Sequence, residues 1–305
     1  MESNVLQQVN RKVLVADGAM GTMLQKRGLP IGHCPEAWNL SRPDDVAAIH
    51  EAYFKAGSDL VETNTFGGNK FRLAHHGLTE NVREINQKAA EIARAVCPQG
   101  KYVAGSVGPT GEFMEPIGSL TFDALVDVFH EQIEALCKGG VDLIIVETMM
   151  DVQEAAAGIT AAKKVASSLP VFASMTFERV GDGYKTMMGC DILTMMDKLI
   201  PVGADVIGAN CGKGMYDMLE IISELRKLTP HPLLAQSNAG IPEWDGEKNI
   251  YRETPQQRAI SVQKLLQFDI NVVGGCCGTT PEHIKTTRDV VDHYNSIRMG
   301  KESGK

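Results

Sequence analysis

Two adjacent cysteines in Gly274-Gly275-Cys276-Cys277-Gly278, and a third in Gly208-Ala209-Asn210-Cys211, set three soft donors among glycines that let backbone and metal approach closely. Three thiolates around a zinc ion leave one tetrahedral position open, where a fourth sulfur can bind and be activated. The chemistry this points to is alkyl transfer onto a thiol. The bland alternative, buried thiols acting as small hydrophobes, suits a lone Cys better than an adjacent pair whose side chains diverge. Cys190, in Met187-Met188-Gly189-Cys190-Asp191, is either a fourth ligand that would make the site structural or an ordinary loop or core residue.

Carboxylates stand at comparable places. Asp17-Gly18-Ala19-Met20-Gly21-Thr22 and Glu147-Thr148 each follow an apolar run. A carboxylate there is costly to bury without donors or a cation, so a ligand ammonium is its natural partner. Backbone N–H groups at a turn such as Gly18-Ala19 can hold a carboxylate. Two acids for one amine suggest an amino-acid ligand. Ser106 and Asn238 also sit at strand ends, as candidates for ligand or metal contact. The eight histidines show no HxH or HExxH spacing and are read as surface or core residues.

These residues need a frame that brings distant segments together. Strand-like runs recur at 12–17, 59–65, 101–107, 141–147, 170–176, 204–210, 231–237 and 269–275, separated by helix-length amphipathic stretches such as 44–56. Thr254 with Gln257 and Thr279 with Glu282 have capping-box spacing, and Pro255 and Pro281 suit first turns. Strict alternation over eight units predicts a single (β/α)8 barrel with the zinc site at its C-terminal mouth. A weak repeat supports closure: Gly57-Ser58-Asp59, Gly140-Val141-Asp142 and Gly203-Ala204-Asp205 open strands two, four and six, and Phe268-Asp269 echoes them at strand eight. Alternate strands contribute one inward layer, which would bring Glu62, Glu147, Cys211 and Cys276 together. The barrel is assigned to 1–298 and a polar tail to 299–305.

Composition agrees. The 305 residues are 43% hydrophobic, enough for a large core, and a formal charge of -8 without a basic run argues against nucleic-acid or anionic-membrane partners. No window approaches the roughly 20 apolar residues of a membrane span, and the odd count of seven cysteines suits a reducing compartment, so a cytoplasmic location is expected.

Taken in order, DGAMGT, PEAWNLSRPDD, ETNTF, GSVGPTG, ETMMD, GANC, SNAG, YRETP and GGCCGTTPEHI resemble the homocysteine S-methyltransferase family from about residue 12 to 295. DGAMGT and ETMMD look more like its cobalamin-dependent methionine synthase branch, specifically the N-terminal homocysteine-binding module. The resemblance implies zinc on Cys211, Cys276 and Cys277 and homocysteine bound through sulfur. Asp17 and Glu147 would engage its amino group, and Gly18, Ala19 and Ser106 its carboxylate. Asn238 would cap the metal when homocysteine is absent. Betaine-using members carry a Tyr where Thr148 stands. With no cobalamin-loop motif in the chain, the expected donor is a methylcorrinoid on a separate carrier protein, with S-methylmethionine or a betaine as the small-donor alternative. A non-catalytic, redox-sensing zinc barrel is the reading from a different class.

Overall fold

The computed structural model describes residues 5–246 and 248–302. Eight parallel strands form one sheet: β1 Leu14–Val15, β2 Leu60–Glu62, β3 Tyr102–Val107, β4 Leu143–Met149, β5 Val171–Met175, β6 Val206–Cys211, β7 Leu233–Ser237 and β8 Val272–Gly275. Every strand falls within, or within two residues of, an apolar run of the sequence. Each is followed by a helix on the outside: α1 Pro43–Ala56, α2 Val82–Ala95, α3 Phe122–Lys138, α4 Val152–Val165, α5 Ile192–Leu199, α6 Met215–Leu228, α7 Pro255–Leu265 and α8 Pro281–Glu302. This is the (β/α)8 barrel that the alternation predicts. The last helix runs four residues past the 298/299 boundary, to Glu302, and residues 303–305 lie outside the described residues.

Sheet order runs β1-β8-β7-β6-β5-β4-β3-β2. At the remaining seam, between β1 and β2, side chains do what a backbone ladder does elsewhere. The Asp59 N–H donates to Val15 O at 2.6 Å, while Asp59 Oδ2 accepts from the Val15 N–H at 3.0 Å. One turn higher, Asp17 Oδ2 accepts from the Glu62 N–H at 3.0 Å.

The same device explains the repeat. Asp142 Oδ2 accepts from Val103 N at 2.7 Å and Asp205 Oδ2 from Val171 N at 2.8 Å, each returning its own N–H to that neighbour's carbonyl. At strand eight the equivalent is Asn271, whose Oδ1 accepts from Leu233 N at 3.0 Å. Asp269, which the sequence pattern suggests, lies two residues too early; it adopts a left-handed φ of 51° and pairs with Arg298 instead. The glycines that end the preceding helices, Gly57, Gly140 and Gly203, have φ of 106°, 93° and 112°, a region open to glycine at no steric cost.

Inside the barrel, Leu14, Leu60, Tyr102, Leu143, Ile145, Phe172, Val206, Leu234 and Val272 pack together, and an N-terminal helix, Val5–Arg11, plugs the base with Val5 and Val9. The larger outer core lies between strands and helices. Thr254 and Gln257 form the expected reciprocal cap of α7. At α8 the cap shifts by one residue: Thr280 donates its N–H to His283 Nδ1, and Thr279 is left to reach the mouth. Among the described residues no helix is long and apolar enough to cross a membrane.

Candidate active site

A cavity of about 380 Å³ opens at the C-terminal end of the strands, lined by Asp17, Glu62, Ser106, Glu147, Asn210, Cys211, Gln236, Cys276 and Cys277 among others. The Cys211, Cys276 and Cys277 sulfurs lie within 4.8 Å of one another, the nearest pair, Cys211 and Cys276, at 2.7 Å. A tetrahedral zinc with sulfur bonds of about 2.3 Å has sulfur–sulfur edges of roughly 3.8 Å, a value between these limits. The donor set therefore fits a zinc ion. Cys190 is not in this group; its Sγ donates to the Asp191 carbonyl at 3.3 Å.

Local structure fixes the three sulfurs. Gly208 in β6 is required because a Cβ there would lie 1.9 Å from the Leu234 carbonyl oxygen of β7. Cys211 ends β6 with a left-handed φ of 60°, and Thr148, the next-to-last residue of β4, has φ of 58° within a register shift between Val146 and Met149. Such conformations cost non-glycine residues about 1–3 kcal/mol each and persist where surrounding contacts over-determine them. Here Asn210 supplies those contacts: its Oδ1 accepts from Thr148 N at 2.8 Å and Ser174 Oγ at 2.9 Å, and its Nδ2 donates to Thr148 Oγ1 at 2.6 Å. At β8, Thr279 donates to the Cys276 carbonyl at 2.6 Å, and the ring of Tyr251 lies over Gly278, where a Cβ would come within 2.3 Å of it. Hydrogen bonding with Cys211 and Cys276 lowers the Cys277 thiol, while the Cys211 and Cys276 thiols are raised.

The opposite wall is acidic. Asp17 is buried, with Oδ2 on the Glu62 N–H and Oδ1 without a partner. Glu62 accepts from Gln236 Nε2 at 2.6 Å, and Glu147 accepts from Ser106 Oγ at 2.5 Å and Asn210 Nδ2 at 3.3 Å. Burial pushes all three carboxyls above the usual range; Glu147 repulsion adds to it at Asp17 and Glu62. The lining contains no Lys, Arg or His. A cationic group entering this wall would meet three acceptors and relieve their mutual repulsion.

The backbone donor expected at Ala19 is engaged: its N–H bonds to Thr279 Oγ1 at 3.1 Å. Gly18 is confined, since a Cβ would fall 2.6 Å from Thr279 Oγ1. Ser106 contacts Glu147 directly. Asn238 donates Nδ2 to the Gly212 carbonyl at 2.6 Å, leaving a buried Oδ1 unpartnered one residue beyond β7. Sequence reasoning passes over Asn210, Gln236, Tyr251 and Arg258. Gln236 could be found from its inward place on β7; Arg258 looks like one more charge on an exterior helix, yet it is buried and donates to Ser237 Oγ at 2.8 Å.

A fold with its ligands at the strand ends and a three-sulfur centre facing a carboxylate wall defines a barrel enzyme class built around thiol chemistry. The chain belongs to the homocysteine S-methyltransferase family, whose model matches residues 14–291. It is 32% identical to methionine synthase of Mycobacterium leprae over 96% of its own length and 33% identical to that of Mycobacterium tuberculosis over 93%. It spans about a quarter of the length of these relatives. Among solved structures, the homocysteine methyltransferase MmuM from Escherichia coli matches in its metallated form with a TM-score of 0.77 and 22% identity, covering 94% of this chain and 98% of that one. Its oxidized form matches with a TM-score of 0.78 and 24% identity. Both are likenesses of fold.

Proposed function

We propose that this barrel transfers a methyl group to the thiol of homocysteine, giving methionine, with zinc held by Cys211, Cys276 and Cys277. The observation that carries the reading is that three cysteine sulfurs and three buried carboxylates face each other across one cavity. When bound there, zinc removes the proton from a thiol that is otherwise mostly protonated, with a pKa near ~8.5, and so supplies the nucleophile without a general base. Asp17 and Glu147, with Glu62 beside them, receive the substrate ammonium. Gly18, Ala19 and Ser106 border the position for its carboxylate, which requires Thr279 to release the Ala19 N–H. The free Oδ1 of Asn238 suits a metal contact in the absence of substrate.

For the donor we propose a methylcorrinoid on a separate carrier protein. Thr148 offers no aromatic face to a methylated cation. Phe113 and Ile117 after β3, Met187 and Met188 after β5, and Ile241 and Trp244 after β7 are exposed apolar residues in segments that follow the C-terminal ends of strands, where a carrier protein would dock. Met149, at the end of β4, is fully buried and adds nothing to this exposed surface. The test is metal analysis joined to a donor screen. We expect about one zinc per chain by the ligand logic of such sites, lost in a Cys211→Ala, Cys276→Ala double variant. Turnover of homocysteine should be faster with methylcobalamin than with S-methylmethionine or betaine. Full zinc retention in the double variant overturns the metal assignment; the reverse donor order moves the protein to small donors and leaves the thiol chemistry intact.

A further inference from the structure

The mouth collects negative charge from two sides. Three thiolates around a zinc dication leave one net negative charge, and a fourth thiolate makes it two, opposite a carboxylate wall. Among the described residues no cation lines the cavity, so any protein charge that compensates the sulfurs comes from behind it.

Arg258 stands there. It projects from the first turn of α7 on the face that also buries Val262 and Leu265, at a slot an apolar side chain would ordinarily fill. It is the largest fully buried side chain of the described residues, and a buried guanidinium costs several kcal/mol unless its donors are used. Nε is left without a partner, and the Nη donors are used on one target. Nη1 donates to Ser237 Oγ at 2.8 Å, and Nη2 donates to the carbonyls of Ser237 at 3.2 Å and Asn238 at 3.3 Å. Ser237 lies in register between Cys211 on β6 and Gly275 on β8, and its carbonyl accepts the Cys276 N–H at 2.9 Å. The guanidinium is close enough to Cys276 for their charges to interact. On its far side Glu253 pairs with Nη2 at 3.0 Å.

We infer that Arg258 is a positioning residue for the three-cysteine centre, clamping the end of β7 between the two cysteine-bearing strands and setting a positive charge behind their sulfurs. The inference rests on the zinc reading above. Its electrostatic part makes opposite demands on the two members of the ion pair, because Arg258 stabilises the thiolates and Glu253 offsets that effect. A purely structural clamp makes the same demand on both, since losing either breaks the pair.

The experiment measures zinc affinity of the full chain by chelator competition, with thermal unfolding alongside. Arg258→Met, which fills the slot without charge, should weaken zinc by about tenfold or more, as supporting groups around metal ligands commonly do. Arg258→Lys should stay within about threefold of the parent, and Glu253→Gln should bind zinc several times more tightly. With cobalt in place of zinc, the thiolate charge-transfer band of Arg258→Met should move to longer wavelength, because sulfur electrons are less tightly held without the nearby cation. Should Arg258→Met fail to fold, tighter binding in Glu253→Gln beside near-parent binding in Arg258→Lys still decides the matter, because a purely structural clamp predicts weaker binding in Glu253→Gln. Equal weakening in all variants, or no change in any, overturns the inference while leaving zinc binding by the parent chain intact. A parent chain that takes up no zinc removes the zinc reading and this inference together.

Discussion

Glu62 shows what the site costs as a residue. Its carboxyl is buried against Asp17 and Glu147 and faces no protein cation, so folding raises its pKa. The sign of the linkage follows: a carboxyl raised on folding favours the folded state when protonated, and its penalty grows as pH rises through the raised value. Glu62→Gln keeps an acceptor for Gln236 and removes the charge. It should therefore raise the thermal midpoint of the ligand-free protein at neutral pH and shrink the difference between midpoints at pH 5 and pH 8. The same substitution should weaken binding of an amino-acid ligand in calorimetry. A lower midpoint at pH 8 would show that the carboxylate is already compensated. Asp59 behaves in the opposite sense: although burial opposes it, Lys101 and Arg288 hold its pKa down, so its contribution is present at neutral pH and fades as pH falls through the carboxyl range.

At the scale of elements, the barrel is legible because its strands are apolar runs and its helix ends carry glycine and proline. The reason for the repeated Asp is not legible, since a one-dimensional pattern cannot tell an acceptor for a neighbouring strand from a helix-terminal charge. That is why Asp269 fits the pattern while Asn271 does the work. The three cysteines could be read from type and spacing, whereas Arg258 could not: its burial comes from the packing of α7 on β7, and a single Arg in a polar helix carries no mark of it. The bulge that turns Glu147 and Thr148 inward is likewise invisible before the register of β4 on β5 is known. The distinction between the two acids is testable. Asp205→Ala leaves the Val171 N–H without its acceptor and Lys163 without its partner, and should cost about 2–3 kcal/mol in urea unfolding. Asp269→Ala removes only a partly exposed pair with Arg298 and should cost under about 1 kcal/mol. Equal losses would restore Asp269 to the repeat.

For the whole molecule, the three-cysteine centre sits on the barrel and does not build it. Phe172, Tyr102, Leu143 and their neighbours fill the interior below, and the outer core is continuous around it. A small zinc domain unfolds when stripped of its ion. This barrel should keep its far-ultraviolet circular dichroism and a cooperative unfolding transition after exhaustive chelation, with a loss of signal pointing to a structural metal.

The seam between β4 and β5 divides the mouth by function as well as by sequence. Asp17, Glu62, Ser106 and Glu147 come from the first four strands; Cys211, Cys276, Cys277 and the Arg258 clamp come from the last four. On the proposed function, one half of the chain would grip the head of an amino acid and the other its sulfur, and the span between the halves would act as a ruler. It selects by carbon count: cysteine, one methylene shorter than homocysteine, can satisfy either grip but is strained to satisfy both, and in competition binding it should lose at least about tenfold to homocysteine. Tight binding of cysteine would mean that the two half-barrels slide, and that the enzyme measures chemistry without measuring length.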